Sequence, residues 1–191
     1  MHMLTGVIHC IGLLFDDTSG LGRFNRFVSG SGSIPDKEST YDDITRLTAF
    51  NAIDAAEAYS QSRNDNELLP FVFTSAAEAG WPDAPGGKFV ENTLAPGWLK
   101  RYLVAKREVE AKLSTCSDLR TIIFRPSLIY SIDKLGSLPP VGAFFLGNKV
   151  GLPFVDRPVT VQALSCAMVR CISEPTVQGV QRYYDIDKLA Q

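Results

Sequence analysis

Three apolar runs separated by two helical patterns constrain this chain more than any other feature. The first spans residues 6–14 in "GVIHCIGLL", the second is "LLPFVFTSAA" and the third is "LRTIIFRPSLIYS". Each is a short apolar run; the first reads as a central strand covered on both faces, the second as another buried strand and the third as a strand. Between the first two lies "TYDDITRLTAFNAIDAAEAYSQS", where Ile44, Leu47, Phe50 and Ile53 recur at helical spacing behind a Thr40 and Asp43 capping-box start. Between the second and third, residues 98–113 carry Trp98, Leu99, Tyr102, Leu103, Val109 and Leu113 on a second helix. Strand, helix, strand, helix, strand implies an α/β parallel sheet with right-handed crossovers.

The connections read as follows. The stretch after the first strand is rich in Gly, Ser and Asp and reads as a loop. Its Gly20-x-Gly22 and Gly30-x-Gly32 pairs lack the third glycine and the helix opening directly behind a strand that a dinucleotide fingerprint needs. A loop through Trp81, Pro82, Pro85, Gly86 and Gly87 precedes the second helix. Pro126 breaks the ladder of the third strand. From Gly136 onward, "GSLPPVGAFFLGNKVGLPF" reads as a Pro/Gly-punctuated apolar loop, followed by a helix over residues 161–172. Its "VGAFFLG" segment fits a substrate wall, a partner surface, a membrane-contacting patch or burial under the last helix. A single domain over 1–191 is expected, with a sheet and helix core in 1–135 and a substrate or partner region in 136–191.

The 191 residues are 45% hydrophobic and 21% charged, an ordinary globular composition with enough chain for one sizeable core. A net charge of −2 without a basic run offers nothing to a phosphate backbone, so nucleic acid is not an expected partner. No apolar run approaches the roughly 20 residues that span a bilayer. The four cysteines lack C-x-x-C spacing and are expected to be reduced and mostly buried, and His2 and His9 are too few for a histidine-rich metal site. No metal site is expected, and no Gly-x-Ser-x-Gly elbow marks a serine hydrolase.

"YLVAKREVE" carries the chemistry. Tyr102 and Lys106 are four residues apart on one helix face, so phenol and ammonium both project toward the sheet edge. A nearby cation stabilises phenolate, and a tyrosine so tuned exchanges a proton with a carbonyl or alcohol oxygen as hydride moves to or from a nicotinamide. Ser75, at the tip of the preceding strand beside Thr74, is placed to hydrogen-bond that same oxygen. The spacing arises by chance in about a quarter of comparable chains, so its value lies in its position between a strand ending in Thr-Ser and one ending in Arg-Pro-Ser. The competing readings are an aromatic anchor beside a solvated lysine, and hydroxyls that only cap a strand end.

Through "GVIHCIG", Asn51 in "FNAIDAAEA", "FVFTSA", "YLVAKREVE", "IIFRPSLIY" and "VTVQALSCAMV", the chain resembles the extended or atypical short-chain dehydrogenase/reductases. Within that family it looks most like the fungal mitochondrial members that assist coenzyme Q (ubiquinone) biosynthesis. Less closely, it is similar to the accessory subunit of respiratory complex I that shares the fold. The resemblance implies a Rossmann-like NAD(P)-binding sheet, with Tyr102 as proton donor and Lys106 holding the nicotinamide ribose and lowering the tyrosine pKa. Ser75 or Thr74 would sit beside the substrate oxygen, Ile11 and Gly12 would line the cofactor, Pro126 would approach the nicotinamide, and Asn51 would be structural. It also implies a mitochondrial location, in the matrix or peripheral to the inner membrane, with a mitochondrial protein complex as partner and peripheral membrane contact. The family's Gly-x-x-Gly-x-x-Gly turn, which cradles the pyrophosphate, is absent, so the first βαβ units are expected to be missing and NAD(P) to bind poorly. That departure keeps a second expectation open, a non-catalytic structural subunit of the coenzyme Q synthesis complex or of complex I.

Overall fold

The computed structural model describes residues 4–25, 35–63, 67–131, 138–152 and 154–191. Four parallel strands form the main sheet in the order β1 (Val7–His9), β2 (Leu69–Thr74), β3 (Leu119–Phe124) and β6 (Gly179–Gln181). The first two crossovers are helical. After a π-helical run Asp42–Leu47, α1 (Thr48–Ser62) leads into β2; a short helix α2 (Gly87–Thr93) and the long α3 (Gly97–Thr115) lead into β3. The α/β parallel architecture expected from the sequence is present.

Alternation along the central strands sends their side chains to two separate cores. Leu69, Phe71 and Phe73 of β2 and Leu119 and Ile123 of β3 pack with Ala49, Ile53 and Ala56 of α1 and Val109 and Leu113 of α3. On the opposite face Val72, Ile122 and Phe124 meet Leu164, Ala167, Met168 and Cys171 of α5 (Val161–Ser173) and Ile186 of α6 (Tyr183–Leu189). Phe71, Phe73 and Phe124 are fully buried, and each contributes on the order of 2–3 kcal/mol through the apolar surface it removes from water.

The boundaries of several elements differ from the sequence reading. The first strand is three residues long, not nine, and lies at the sheet edge, so Ile8 is 40% exposed where a strand covered on both faces was expected. The loop expected through Gly87 ends there: Gly86 takes a left-handed φ of 76° and α2 starts directly behind it. The third apolar run does not continue as one strand. It breaks at Pro126, and Ile129–Tyr130 forms β4, paired in parallel with β5 (Val159–Thr160) in a separate two-stranded ladder. The apolar stretch expected to be a loop is instead helix α4 (Leu138–Lys149), whose Leu138-Pro139-Pro140 start tolerates the prolines because first-turn N–H groups have no helical acceptor. Within it Phe145 stacks edge-on against Tyr130 with ring centroids 6.3 Å apart, while Leu146 is exposed.

The Thr40 and Asp43 start is observed: the Thr40 hydroxyl donates to the Asp43 carboxylate at 2.6 Å and accepts from the Asp43 N–H at 3.1 Å. The helix expected over 161–172 is α5, capped by Thr160 Oγ1, which accepts from the Ala163 N–H at 3.0 Å. Its far end is closed by Arg120 of β3, whose guanidinium donates to the carbonyls of Cys171, Ile172, Glu174 and Val177 at 2.6–3.1 Å. Through β6, the residues beyond 136 supply a strand of the main sheet, and through α5 and α6 they cover its second face. The expected division at 135/136, the Gly30-x-Gly32 pair and His2 lie outside the described residues.

Candidate functional site

A parallel sheet delivers the ends of its strands to one edge, and the chemistry-bearing residues gather there. After β1 come Cys10, Ile11 and Gly12; after β2, Ser75 and Glu78; after β3, Arg125, Pro126 and Ser127; α3 crosses beside them with Tyr102 and Lys106. The chain after β1 is held in place by a side chain of the π-helical run and by Tyr41 just before it. Leu13 N–H donates to Thr45 Oγ1 at 3.2 Å, and the Tyr41 hydroxyl donates to Leu14 O at 2.9 Å while accepting from Asp16 N–H at 3.2 Å. Burial pushes the Tyr41 phenol up to about 12.

Lys106 is 4% exposed, and its ammonium donates to the carbonyl of Thr74 at 2.7 Å, the last residue of β2. The same nitrogen lies 4.9 Å from the Phe73 ring centroid and 5.6 Å from that of Tyr102. Gly12 passes so close that an added Cβ would stand 3.4 Å from it. Burial brings the Lys106 pKa down to about 8, against an opposing pull from Glu110 and Cys10. The helix therefore places a buried ammonium at the tip of β2, beside the backbone of the loop after β1.

Tyr102 lies one turn earlier and faces an apolar wall. With Trp81 and Leu99 it packs against the buried cluster of Ala76, Ala79 and Leu103, and its ring meets Tyr41 edge-on with centroids 5.8 Å apart. The phenol is raised above its ordinary value, first by burial and then by the negative groups Glu78 and Tyr41. The expected lowering by Lys106 does not prevail over that burial; the ammonium donates to Thr74 O and lies 5.6 Å from the Tyr102 ring centroid. At neutral pH the Tyr102 hydroxyl keeps its proton.

Ser75 is 3% exposed, its N–H donates to Phe124 O at 2.7 Å, and its hydroxyl oxygen has no hydrogen-bond partner. Ser127 Oγ, after the neighbouring strand, is buried beside the Glu78 carboxyl. Thr74 points the other way, its hydroxyl 3.5 Å from Cys10 Sγ. Pro126 is buried, with its carbonyl taken by the N–H of Ala77 at 2.9 Å, while Ile11 is 56% exposed and Gly12 lies at the surface. Asn51 is exposed on α1. The structure thus brings Gly12, Thr74 and Lys106 into contact and Ser75 onto the same edge, whereas Ile11 and Pro126 flank it.

Glu78 is the residue that motif reading missed. Half-buried three positions after Ser75, its carboxyl is pushed up to about 7 by burial, with Asp156 raising it further and the Ser127 hydroxyl beside it. An acidic residue just behind the strand-ending "TSAA" was visible in the sequence, but nothing local showed that it would be buried. The cysteine expectation is corrected: all four are free thiols, but Cys171 alone is buried, and Cys10 and Cys166 are exposed. Among the described residues no group of His, Cys, Asp and Glu could hold a metal ion, and no helix is long and apolar enough to cross a membrane. No family model matches the chain, and no solved structure matches it.

Proposed function

We propose that this protein is a short-chain dehydrogenase/reductase-like NAD(P)-binding protein acting in or supporting mitochondrial coenzyme Q biosynthesis, with Tyr102 as proton donor. The observation that carries the reading is the buried Lys106 ammonium, bonded to Thr74 O at the carboxyl edge of a parallel sheet one helical turn from Tyr102. The nicotinamide-ribose end of a dinucleotide fits the residues present. Lys106 and the Gly12 backbone would hold the ribose, Ile11 and Pro126 would flank it, and the unpartnered Ser75 hydroxyl would hydrogen-bond a substrate oxygen. When bound, the nicotinamide supplies hydride. Tyr102 keeps its proton at neutral pH and therefore suits protonation of a reduced carbonyl better than deprotonation of an alcohol. Glu78, in electrostatic reach of the phenol, is placed to resupply that proton.

A second reading, a non-catalytic subunit of a mitochondrial inner-membrane complex, draws on a different observation: Lys106 is already committed to a backbone carbonyl and stacked on Phe73, as a structural lysine would be. Titration of the full chain with NADH and NADPH, followed by tryptophan fluorescence, separates the two. Under the first reading a nucleotide binds and Lys106→Met abolishes binding. Tyr102→Phe then retains the nucleotide and loses quinone output in cells; unchanged output from a stably folded Tyr102→Phe protein would leave only the structural role.

A further inference from the structure

The main sheet ends on one side at β1, where the strand and both flanking helices turn uncharged side chains outward. Among the described residues β1 pairs with β2 alone, so the N–H and C=O groups along its other edge meet no strand. Edge strands that face water are ordinarily guarded by a lysine, a proline or a bulge, because an open edge is a template for another strand. The chain around β1, "LTGVIHCIG", holds neither lysine nor proline, and Ile8 and Ile11 stand exposed on it. Burial and the Lys106 ammonium hold the His9 imidazole below its ordinary range, so at neutral pH it too is uncharged.

The helices on the two faces repeat this pattern. On α1 the side toward β1 is marked by Thr48, whose Oγ1 lies 3.5 Å from His9 Nε2, and by Tyr59, whose hydroxyl accepts from the Leu4 N–H at 2.9 Å. Ala52 and Ala55 complete the line between them at helical spacing. The charged residues of α1 lie on its other side, Asp54 paired with Lys112 of α3 and Glu57 against Cys116 just behind that helix. On α5 the side toward β1 is marked by Met168, its Sδ 3.9 Å from Cys10 Sγ, and by Ile172, which packs directly over Gly6. Val161 and Ser165 extend that line, and Val169 beside it is 65% exposed. Arg170, the single charged residue of α5, turns away and donates to Leu189 O at 3.4 Å.

We propose that this face binds a second copy of the chain, with β1 antiparallel to its mate about a two-fold axis normal to the sheet, so that two four-stranded sheets join into one, α1 meets α1 and α5 meets α5. The occupant has to offer a strand edge between two uncharged helix flanks, and the same face of a second chain does so. A two-fold axis lays a surface on itself, which sets like charges together on a charged face and costs nothing of that kind on a neutral one. The opposite edge of the sheet fails that condition: β6 runs straight into Arg182, and α6 beside it carries Asp185, Asp187 and Lys188. Spacing agrees as well. Strands pair about 4.8 Å apart, which brings helices seated over the two outer strand pairs to about 10 Å, the distance at which helices pack. Ala52 and Ala55 on α1 and Ser165 on α5 are small enough for that approach. The face runs about 20 Å along the helices and about 30 Å across three layers, the size from which a stable interface takes about 800 Å² per partner.

Sedimentation equilibrium of the full chain at about 1–50 μM tests this. The expected mass is twice the 20.9 kDa of one chain. Val169→Glu sets a carboxylate against its own copy between the two α5 helices and is expected to weaken dimerisation at least about tenfold. Leu146→Glu, at an equally exposed position on α4, leaves it unchanged. Mixing Val169→Glu with Val169→Lys restores a dimer holding one chain of each kind, as α5 against α5 requires. Ala55→Glu on α1 gives the same reading should the α5 variants fail to fold. A chain that stays monomeric at about 50 μM, including one that takes up a foreign polypeptide instead, overturns the proposal. So does a dimer that Val169→Glu leaves intact, or one that Leu146→Glu weakens equally. The mass is read without nucleotide, so the result stands apart from the NADH titration.

Discussion

The two faces of the central sheet bury charge in opposite ways. On the face covered by α5 and α6, Arg120 lies at the amino-terminal end of β3 and donates to four carbonyls at the end of α5. Both of its Nη groups meet carbonyl acceptors, three of them at a helix terminus that would otherwise leave them open. On the face covered by α1 and α3, Lys106 and the Glu110–Arg125 pair lie at the carboxyl edge, together with the unpartnered Ser75 hydroxyl and the half-neutral Glu78. Burial there is incompletely compensated: it lowers the Lys106 pKa and raises those of Tyr102 and Glu78. Buried polarity that is fully satisfied serves the fold, whereas buried polarity left wanting a partner marks where a ligand would improve matters.

Substitutions on the two faces should therefore differ in sign as well as size. Arg120→Met strips four carbonyls of their donor and is expected to cost about 2–4 kcal/mol in urea unfolding, with nucleotide binding unchanged in the folded protein. A change in binding would break the comparison. Glu78→Gln should do the reverse and stabilise. The folded pKa of Glu78 lies above its unfolded value, so its contribution to stability is full below about pH 4 and is lost as pH rises toward 7. The non-titrating glutamine escapes that loss, and its urea midpoint should correspond to about 1–3 kcal/mol more stability at about pH 8, converging with the wild type at about pH 4. A pH-independent difference would mean that the effect is packing, not ionisation. The smallest change is Thr160→Ala at the start of α5, worth about 1 kcal/mol at every pH, with faster amide exchange at Ala163.

Much of the frame was legible because it depends on local pattern. The runs "LLPFVFT" and "LRTIIF" became β2 and β3 because alternating sides of each meet separate helix layers, and residues 98–113 became α3 through their apolar spacing. The errors lie where tertiary neighbours decide. "GVIHCIGLL" is as apolar as a central strand, yet as the edge strand β1 it is paired on one side, and it stops at His9. "LPPVGAFFLGNK" carries enough proline and glycine to read as a loop, but prolines confined to a first turn leave the helix behind them intact. At the site, the Tyr102 and Lys106 spacing was readable as a shared helix face; that the ammonium would turn to Thr74 O and the phenol would rise was not.

The sequence by itself determined the α/β order, the start of the first helix at Thr40 and Asp43, the place of Ser75 at a strand end and the shared helix face of Tyr102 and Lys106. Periodicity and capping act within a few residues, so one chain segment contains the whole cause. Tertiary structure decided which of those groups are charged and which are satisfied. Glu78 has no local reason to approach neutrality, and Arg125 and Arg182 no local reason to be unavailable to an anion. Their carboxylate partners are 15 and 26 residues away, and the burial that shifts Glu78 comes from β3, α3 and the segment before β5 closing around it. Desolvation and pairing are properties of the assembled edge, and they turn a strand-end serine, a helix tyrosine and an ordinary glutamate into one candidate site.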